Sequence, residues 1–116
     1  MAGSQREDFV LRQLKVIAAM LARIAGLRLA GTAEEAKVEL EQAYGLLLGP
    51  QSEFIRRVDP STAASLLGSK EKIELFAQLL DEEALLVEGK DRRSVLQRQA
   101  AELRAHARRR NPTRGA

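Results

Sequence analysis

Residues 69–110 read SKEKIELFAQLLDEEALLVEGKDRRSVLQRQAAELRAHARRR. Apolar side chains recur in this segment at spacings of three and four, which is typical of amphipathic helices. Ser69 is a suitable N-cap for the first helix, Gly89 interrupts the pattern, and Asp91 is the candidate N-cap of the next helix. The segment therefore predicts a helical hairpin. Its first helix has a broad apolar face, which indicates a central position in the fold.

A second hairpin is predicted upstream. Its first helix, over about residues 6–29, ends at Gly31, a residue suited to the left-handed conformation. Thr32 and Glu35 match a capping box for a helix that ends at Gly49-Pro50. The short turn favours antiparallel packing. The first helix is expected to bury one main stripe and a flanking line: Phe9, Val10, Leu14, Ile17, Leu21 and Ile24, with Val16, Met20 and Leu27.

Residues 51–68 predict two short connecting helices, the first capped by Ser52 and the second by Asp59 ahead of Pro60. The apolar anchors expected there are Phe54, Ile55, Leu66 and Leu67. No segment alternates apolar and polar residues over the length of a strand. We expect one all-α domain, ordered over about residues 6–110 and followed by a loose basic tail at 111–116.

The residue inventory argues against most catalytic sites. The chain of 116 residues has no cysteine and one histidine, His106. Thiolate metal sites, histidine-rich metal sites and Ser-His-Asp triads therefore cannot be built within it, and no phosphate-binding glycine loop occurs. We expect neither catalysis nor a cofactor nor a bound metal.

The cellular location is predicted from features that the sequence lacks. The apolar runs are interrupted by charges and fall short of the roughly 20 residues that span a bilayer, and the start MAGSQREDF has no apolar signal-peptide core. The lack of cysteine also fits a reducing compartment. We expect a cytoplasmic protein without membrane association.

The two hairpins share a pattern at an offset of 58 residues, which aligns Gly31 with Gly89. The aligned pairs that follow are Ala36 with Ser94, Leu40 with Arg98, and Ala43 with Ala101. A glycine at the turn and small residues beyond it allow two helices to approach closely. Ser94 and Arg98 depart from this pattern, so the last helix is expected to pack more loosely.

Gly31, Ala36, Leu40 and Ala43 match the glycine, alanine, large apolar and alanine positions in the second half of a tetratricopeptide (TPR) repeat. In this respect the chain resembles TPR hairpins and small bacterial all-helical proteins of unknown function, although the 34-residue tandem period is absent. The resemblance implies protein binding through a groove lined by the first helix of each hairpin. Any antiparallel helical hairpin also favours a glycine and small residues, so a generic hairpin remains the alternative.

The charge distribution suggests a second function. Residues 90–116 hold nine Lys or Arg against two acidic residues, whereas residues 1–89 have a net charge of −4. Clustered arginines can neutralise phosphates, so a small polyanion or nucleic-acid binder is the alternative function, although no aromatic residues are interleaved for base stacking. The candidate partner-binding residues are all charged: Arg28, Glu83, Arg98, Arg104, Arg108, Arg109 and Arg110.

Two further polar features are interpreted as surface features. The acidic residues Asp81, Glu82, Glu83 and Glu88 predict a solvated helix face, and His106 is spaced to pair with Glu102. The predicted partner is another protein or peptide. A second copy of the chain is an alternative, because wide apolar faces leave residues for self-association.

Overall fold

The computed structural model describes residues 2–110, with side chains from Asp8 onward. It contains α1 (Ala2–Leu29), α2 (Ala33–Leu48), α3 (Ser52–Arg57), α4 (Pro60–Leu67), α5 (Lys70–Leu86) and α6 (Lys90–Arg109), with a 3-10 turn at Gly49–Gln51. No strand occurs in these residues, which confirms the all-α class. The predicted tail at 111–116 lies outside the described residues.

Helix α5 is the centre of the molecule, as its broad apolar face predicted. It contacts α1, α2, α4 and α6. Its buried residues are Ile73, Phe76, Ala77, Leu79, Leu80, Ala84 and Leu86. Both hairpins therefore depend on one core helix.

Named contacts give the directions of the helices. In the first hairpin, Gln13 Nε2 donates to the Leu46 carbonyl (3.4 Å) and Arg23 pairs with Glu39, so α1 and α2 are antiparallel. In the second hairpin, Asp81 pairs with Arg104, and Arg93, one turn into α6, reaches the end of α5, so these helices are also antiparallel. Helices α1 and α5 also pack against each other.

The N-terminal part of α1 projects beyond its partner helix. At about 1.5 Å per residue, 28 residues span about 42 Å, against a longest molecular dimension of 45 Å. Helix α2 has only 16 residues, so it covers the later part of α1. The predicted stripe is therefore buried at Ile17, Leu21 and Ile24, whereas the expectation of burial was wrong for the exposed Phe9 and Val16.

Helix α1 also begins at Ala2, earlier than the predicted start near residue 6. Residues 2–5 are Ala, Gly, Ser and Gln, and they contain no proline that would stop the helix. Each residue added to an existing helix gains one backbone hydrogen bond, so the helix extends toward the terminus.

The turn after α1 is a Schellman motif. Gly31 has a φ of 84°, its N–H donates to the Arg28 carbonyl (3.1 Å), and the Thr32 N–H donates to the Leu27 carbonyl (2.9 Å). The left-handed glycine was predicted correctly. The capping box was not, because the Thr32 hydroxyl donates to the Leu27 carbonyl (2.8 Å) and makes no cap bond to α2.

The turn after α5 has a different geometry. Gly89 has a φ of −84° and is itself the N-cap residue of α6, so the prediction of Asp91 as the cap was wrong. The end of α5 is held by Arg93, whose Nε donates to the Ala84 carbonyl (3.0 Å) and whose Nη2 donates to the Val87 carbonyl (3.1 Å). A side chain closes this turn in place of a left-handed glycine.

The connecting helices begin and end largely as predicted. Asp59 accepts a hydrogen bond from the Thr62 N–H, Ser69 accepts one from the Lys72 N–H, and Gly68 ends α4 with a φ of 84°. Hydrogen bonds from the Thr62 hydroxyl and N–H lower the pKa of Asp59. Ser52 is the first residue of α3 and not its cap.

Two of the four anchors predicted in the connecting helices were wrong. Ile55 and Leu67 are buried, but Phe54 and Leu66 remain about half exposed. The reason is that short helices cover the core with one side only.

Helix α6 packs closely, contrary to the expectation of loose packing. Leu96, Ala100, Leu103 and Ala107 are fully buried on one side of the helix. Ser94 and Arg98 are exposed and lie outside this packing line, so their polarity costs no core contact.

Candidate interaction surfaces

A groove of about 350 Å³ runs between α1 and α5. We call it the α1–α5 groove. One wall is Ala18, Leu21 and Ala22 of α1, and the other is Gln78, Asp81 and Glu82 of α5. The two alanine side chains are small and extend little from α1, while α5 presents an amide and two carboxylates to the groove.

Ion pairs fix the acidic wall of the α1–α5 groove. Arg28 Nε donates to Glu82 Oε1 at 3.0 Å, with both side chains less than a quarter exposed. Arg104 Nη2 donates to Asp81 Oδ2 from α6. Two predicted partner-binding residues, Arg28 and Arg104, are therefore both held against carboxylates that line this groove.

A larger cleft of about 800 Å³ lies where α2, α3 and the start of α4 meet α6. We call it the arginine cleft. Charged side chains dominate its lining, and three apolar residues contribute to it. The lining residues are Glu41, Glu53, Arg56, Arg57, Val58, Pro60, Arg92, Val95, Arg98, Gln99 and Glu102.

Behind the arginine cleft, a polar network joins four elements. The buried Tyr44 donates its hydroxyl proton to Glu83 Oε1 at 2.6 Å. Arg56 stacks over the Tyr44 ring at 3.8 Å and donates two hydrogen bonds to Glu41, at 2.9 and 3.2 Å. Glu83 also pairs with Arg56 and Arg92, each at 3.5 Å. These contacts tie α2, α3 and α6 to the central helix.

The network controls the charge states of its buried members. Burial raises the pKa of Tyr44 far above its ordinary value, and the charge and hydrogen bond of Glu83 raise it further. Burial alone lowers the pKa of Arg56, but the Glu41 hydrogen bond and the surrounding negative charges produce a net increase. Tyr44 therefore stays neutral and Arg56 stays cationic. Groups with such fixed charge states can support the wall of the cleft, but they are not suited to proton transfer.

The acidic face predicted on α5 is not simply solvated. Asp81 holds α6, Glu82 holds α1, and Glu83 holds α2 and α3, whereas Glu88 alone of the four is exposed. The prediction was wrong because α5 is surrounded by neighbours whose arginines reach these consecutive carboxylates.

The C-terminal arginines form a separate group. Arg108, Arg109 and Arg110 are exposed at the end of α6, away from both the α1–α5 groove and the arginine cleft. His106 does not pair with Glu102 as predicted, because its Nδ1 lies 3.1 Å from Arg109 Nη2.

The seven candidate residues therefore fall into three places. Arg28 and Arg104 border the α1–α5 groove, Arg98 and Glu83 belong to the arginine cleft and its wall, and the remaining three lie at the end of α6. The sequence interpretation missed Arg56. The apolar face of α2 contained the signal for Tyr44, because a buried hydroxyl requires a partner. No spacing rule connects Arg56 to that tyrosine.

Two kinds of feature are absent from the described part of the chain. Between residues 2 and 110, no helix combines the length and apolar character needed to cross a bilayer. The same residues contain no group of three or more His, Asp or Glu side chains arranged to hold a metal ion.

Comparison with known proteins gave no relative: no protein-family model matches the chain, and no curated protein or solved structure is significantly similar to it.

Proposed function

We propose that the chain is a cytoplasmic protein–protein interaction module with a TPR-like arrangement of helices, and that it binds its partner in the α1–α5 groove. The observation that carries this proposal is that the first helices of the two hairpins lie side by side with an open groove between them. The TPR resemblance implies binding at the corresponding place.

The order of helix contacts supports the TPR-like arrangement. Helix α5 packs against both helices of the first hairpin as well as against its own partner α6. Successive hairpins of a helical solenoid stack in this way, each on its neighbour. Helices α3 and α4 replace the short linker of a regular array, and α4 packs on α6.

The chemistry of the α1–α5 groove suits a helix or an extended peptide. Ala18 and Ala22 are one turn apart and project little, so a partner backbone can approach α1 closely. Gln78 offers polar contacts along the other wall, together with Asp81 Oδ1 and Glu82 Oε2, the oxygens that do not bind Arg104 and Arg28. Apolar contact on one side and polar contact on the other favour one orientation of the partner.

The test is affinity capture with two matched variants. Ala22→Arg places a long side chain in the α1–α5 groove, whereas Ala19→Arg places the same side chain on the exposed part of α1 outside it. We expect the wild type and Ala19→Arg to capture the same partner from the native lysate, and Ala22→Arg to recover it at least about tenfold less.

Equal capture by both variants would show that the α1–α5 groove is not the binding surface. Failure to capture any partner, together with turnover in an unbiased substrate screen, would contradict the interaction module itself. Circular dichroism of each variant controls for folding.

A second candidate function is polyanion binding by the end of α6. It is favoured by the exposed Arg108 and Arg109, which form no ion pair with an acidic residue in the described part of the chain. Each phosphate contact releases counterions, so binding of duplex or single-stranded nucleic acid would weaken steeply with salt. The test is to titrate nucleic acid into the chain at two salt concentrations, with and without residues 108–116. Affinity that does not change with salt, or that does not fall when these residues are removed, would contradict this function.

A further inference from the structure

We propose that the arginine cleft is a second binding site, and that it takes an extended acidic peptide segment of a partner protein. It is separate from the α1–α5 groove, because the two share no lining residue. The inference therefore stands independently of the proposed function.

The walls of the arginine cleft are fixed before any ligand binds. Arg56 is held by its two hydrogen bonds to Glu41 and by stacking on Tyr44, and its own carbonyl accepts a hydrogen bond from Gln99 Nε2 at 3.3 Å. The side chain of Arg56 is mostly buried. Side chains that are already held by hydrogen bonds lose little conformational entropy when a partner binds.

The rim of the arginine cleft carries three exposed arginines that a ligand can bind: Arg57, Arg92 and Arg98. Arg98 lines the cleft, is exposed, and has no ion pair with an acidic side chain among residues 8–110. Arg57 and Arg92 each make one long ion pair, at 3.3 and 3.5 Å, with side chains 79% and 56% exposed. The Arg57–Glu53 pair is exposed on both sides and contributes little stability, so a carboxylate of a partner can replace Glu53. The exposed guanidinium of Arg92 can bind a second carboxylate while it stays paired with the mostly buried Glu83.

The rest of the lining favours a peptide over a nucleic acid. Glu53 and Glu102 interrupt the positive charge of the lining, and a nucleic acid with a phosphate at every residue would have to place charges beside them. A peptide can instead place its carboxylates beside Arg98 and its backbone N–H groups beside these glutamates, which accept hydrogen bonds from them. Val58, Pro60 and Val95 offer an apolar area for one side chain, whereas no aromatic residue lines the cleft for base stacking. The volume of about 800 Å³ lies in the range of ligand sites, but its charged lining does not suit an apolar small molecule.

The test is fluorescence anisotropy with four labelled probes and the full chain. The probes are a peptide of alternating Glu and Leu, its Gln-for-Glu version, its Lys-for-Glu version, and a single-stranded oligonucleotide. We expect the acidic peptide to bind at least about tenfold more tightly than the other peptides, and more weakly at higher salt.

Two variants locate the binding. Arg98→Gln removes the rim cation, and Arg12→Gln removes an exposed arginine of α1 that does not line the arginine cleft. We expect Arg98→Gln to weaken acidic-peptide binding about tenfold and Arg12→Gln to leave it unchanged, with unaltered thermal midpoints for both.

Three outcomes would overturn the proposal. They are equal binding of the acidic and neutral peptides, equal losses in the two variants, and tighter binding of the oligonucleotide that depends on Arg98.

Discussion

The two hairpins differ most at their turns. The first turn uses a left-handed Gly31 and the backbone hydrogen bonds of a Schellman motif, to which the Thr32 hydroxyl adds one bond to the Leu27 carbonyl. The second turn uses an extended Gly89, and the side chain of Arg93 binds the last carbonyls of α5. The same residue type at the same offset therefore performs two different roles.

The repeat pattern does not extend to the packing of the hairpins. Ala36, Leu40 and Ala43 are buried, whereas the residues aligned with them, Ser94, Arg98 and Ala101, are all exposed. Helix α6 buries a different line, which includes Leu96, Ala100 and Leu103, so the shared spacing does not specify the buried positions. It does not specify the turn. Where a long side chain can bind the helix end, the left-handed residue is no longer required.

The largest expected effect comes from the core helix on which both hairpins depend. Phe76 is fully buried and packs edge-on against Tyr44, with ring centroids 6.1 Å apart. Phe76→Ala should lower the free energy of unfolding by about 3–5 kcal/mol in denaturant titration. The matched variant Leu85→Ala, on the exposed side of the same helix, should cost about 0.5 kcal/mol. Equal losses would mean that α5 is not the shared core.

The next effect concerns the hydrogen bond that joins α2 to α5. Tyr44→Phe removes the hydroxyl that donates to Glu83, which leaves a mostly buried carboxylate with one donor fewer. The expected loss in the free energy of unfolding is about 1–3 kcal/mol at neutral pH. A variant as stable as the wild type would show that Arg56 and Arg92 satisfy Glu83 without the tyrosine.

The pH dependence of the free energy of unfolding tests the same Tyr44–Glu83 contact. The pKa of Tyr44 is raised in the folded chain, so its stabilising contribution is complete below the unfolded value of about 10. Above that pH the unfolded chain loses the proton while the folded chain keeps it, and stability falls by up to about 1.4 kcal/mol per pH unit. The stability of the wild type should exceed that of Tyr44→Phe by a constant amount below about pH 10, and the two curves should converge above it. Parallel curves would contradict the burial of a neutral tyrosine.

The smallest effect compares the two turn glycines directly. Gly31→Ala puts a side chain on a left-handed residue and should cost about 1 kcal/mol. Gly89→Ala keeps a negative φ, and its new Cβ would lie 3.8 Å from the Arg92 Cβ, an ordinary contact, so the change should be close to zero. Thermal melts of the two variants suffice. Equal costs would show that the turns are equivalent after all.

The sequence was sufficient to predict what depends on neighbours along the chain. The apolar spacing predicted the long helices, and Asp59, Gly68 and Ser69 were identified as helix ends because their bonds reach only three or four residues. Local chemistry was not sufficient where one side chain has two possible partners nearby. The Thr32 hydroxyl donates to the Leu27 carbonyl at the end of α1 and accepts no hydrogen bond from the first N–H groups of α2.

Features that depend on distant partners could not be predicted from spacing. The exposure of Phe9 follows from the shorter length of α2, and the burial of Glu83 follows from arginines on α3 and α6. The charge asymmetry did bring Arg98 into the set of candidates. Its place in the arginine cleft depends on how α3 and α4 pack against α6, which no motif encodes.

The most direct test of the proposed module is photo-crosslinking in the native cell. A photoreactive side chain at Ala18, inside the α1–α5 groove, is compared with one at Ala19, on the same helix but outside it. The account predicts one discrete crosslinked partner from position 18 and none from position 19. Crosslinking from position 19 alone, or only from positions at the end of α6, would contradict it.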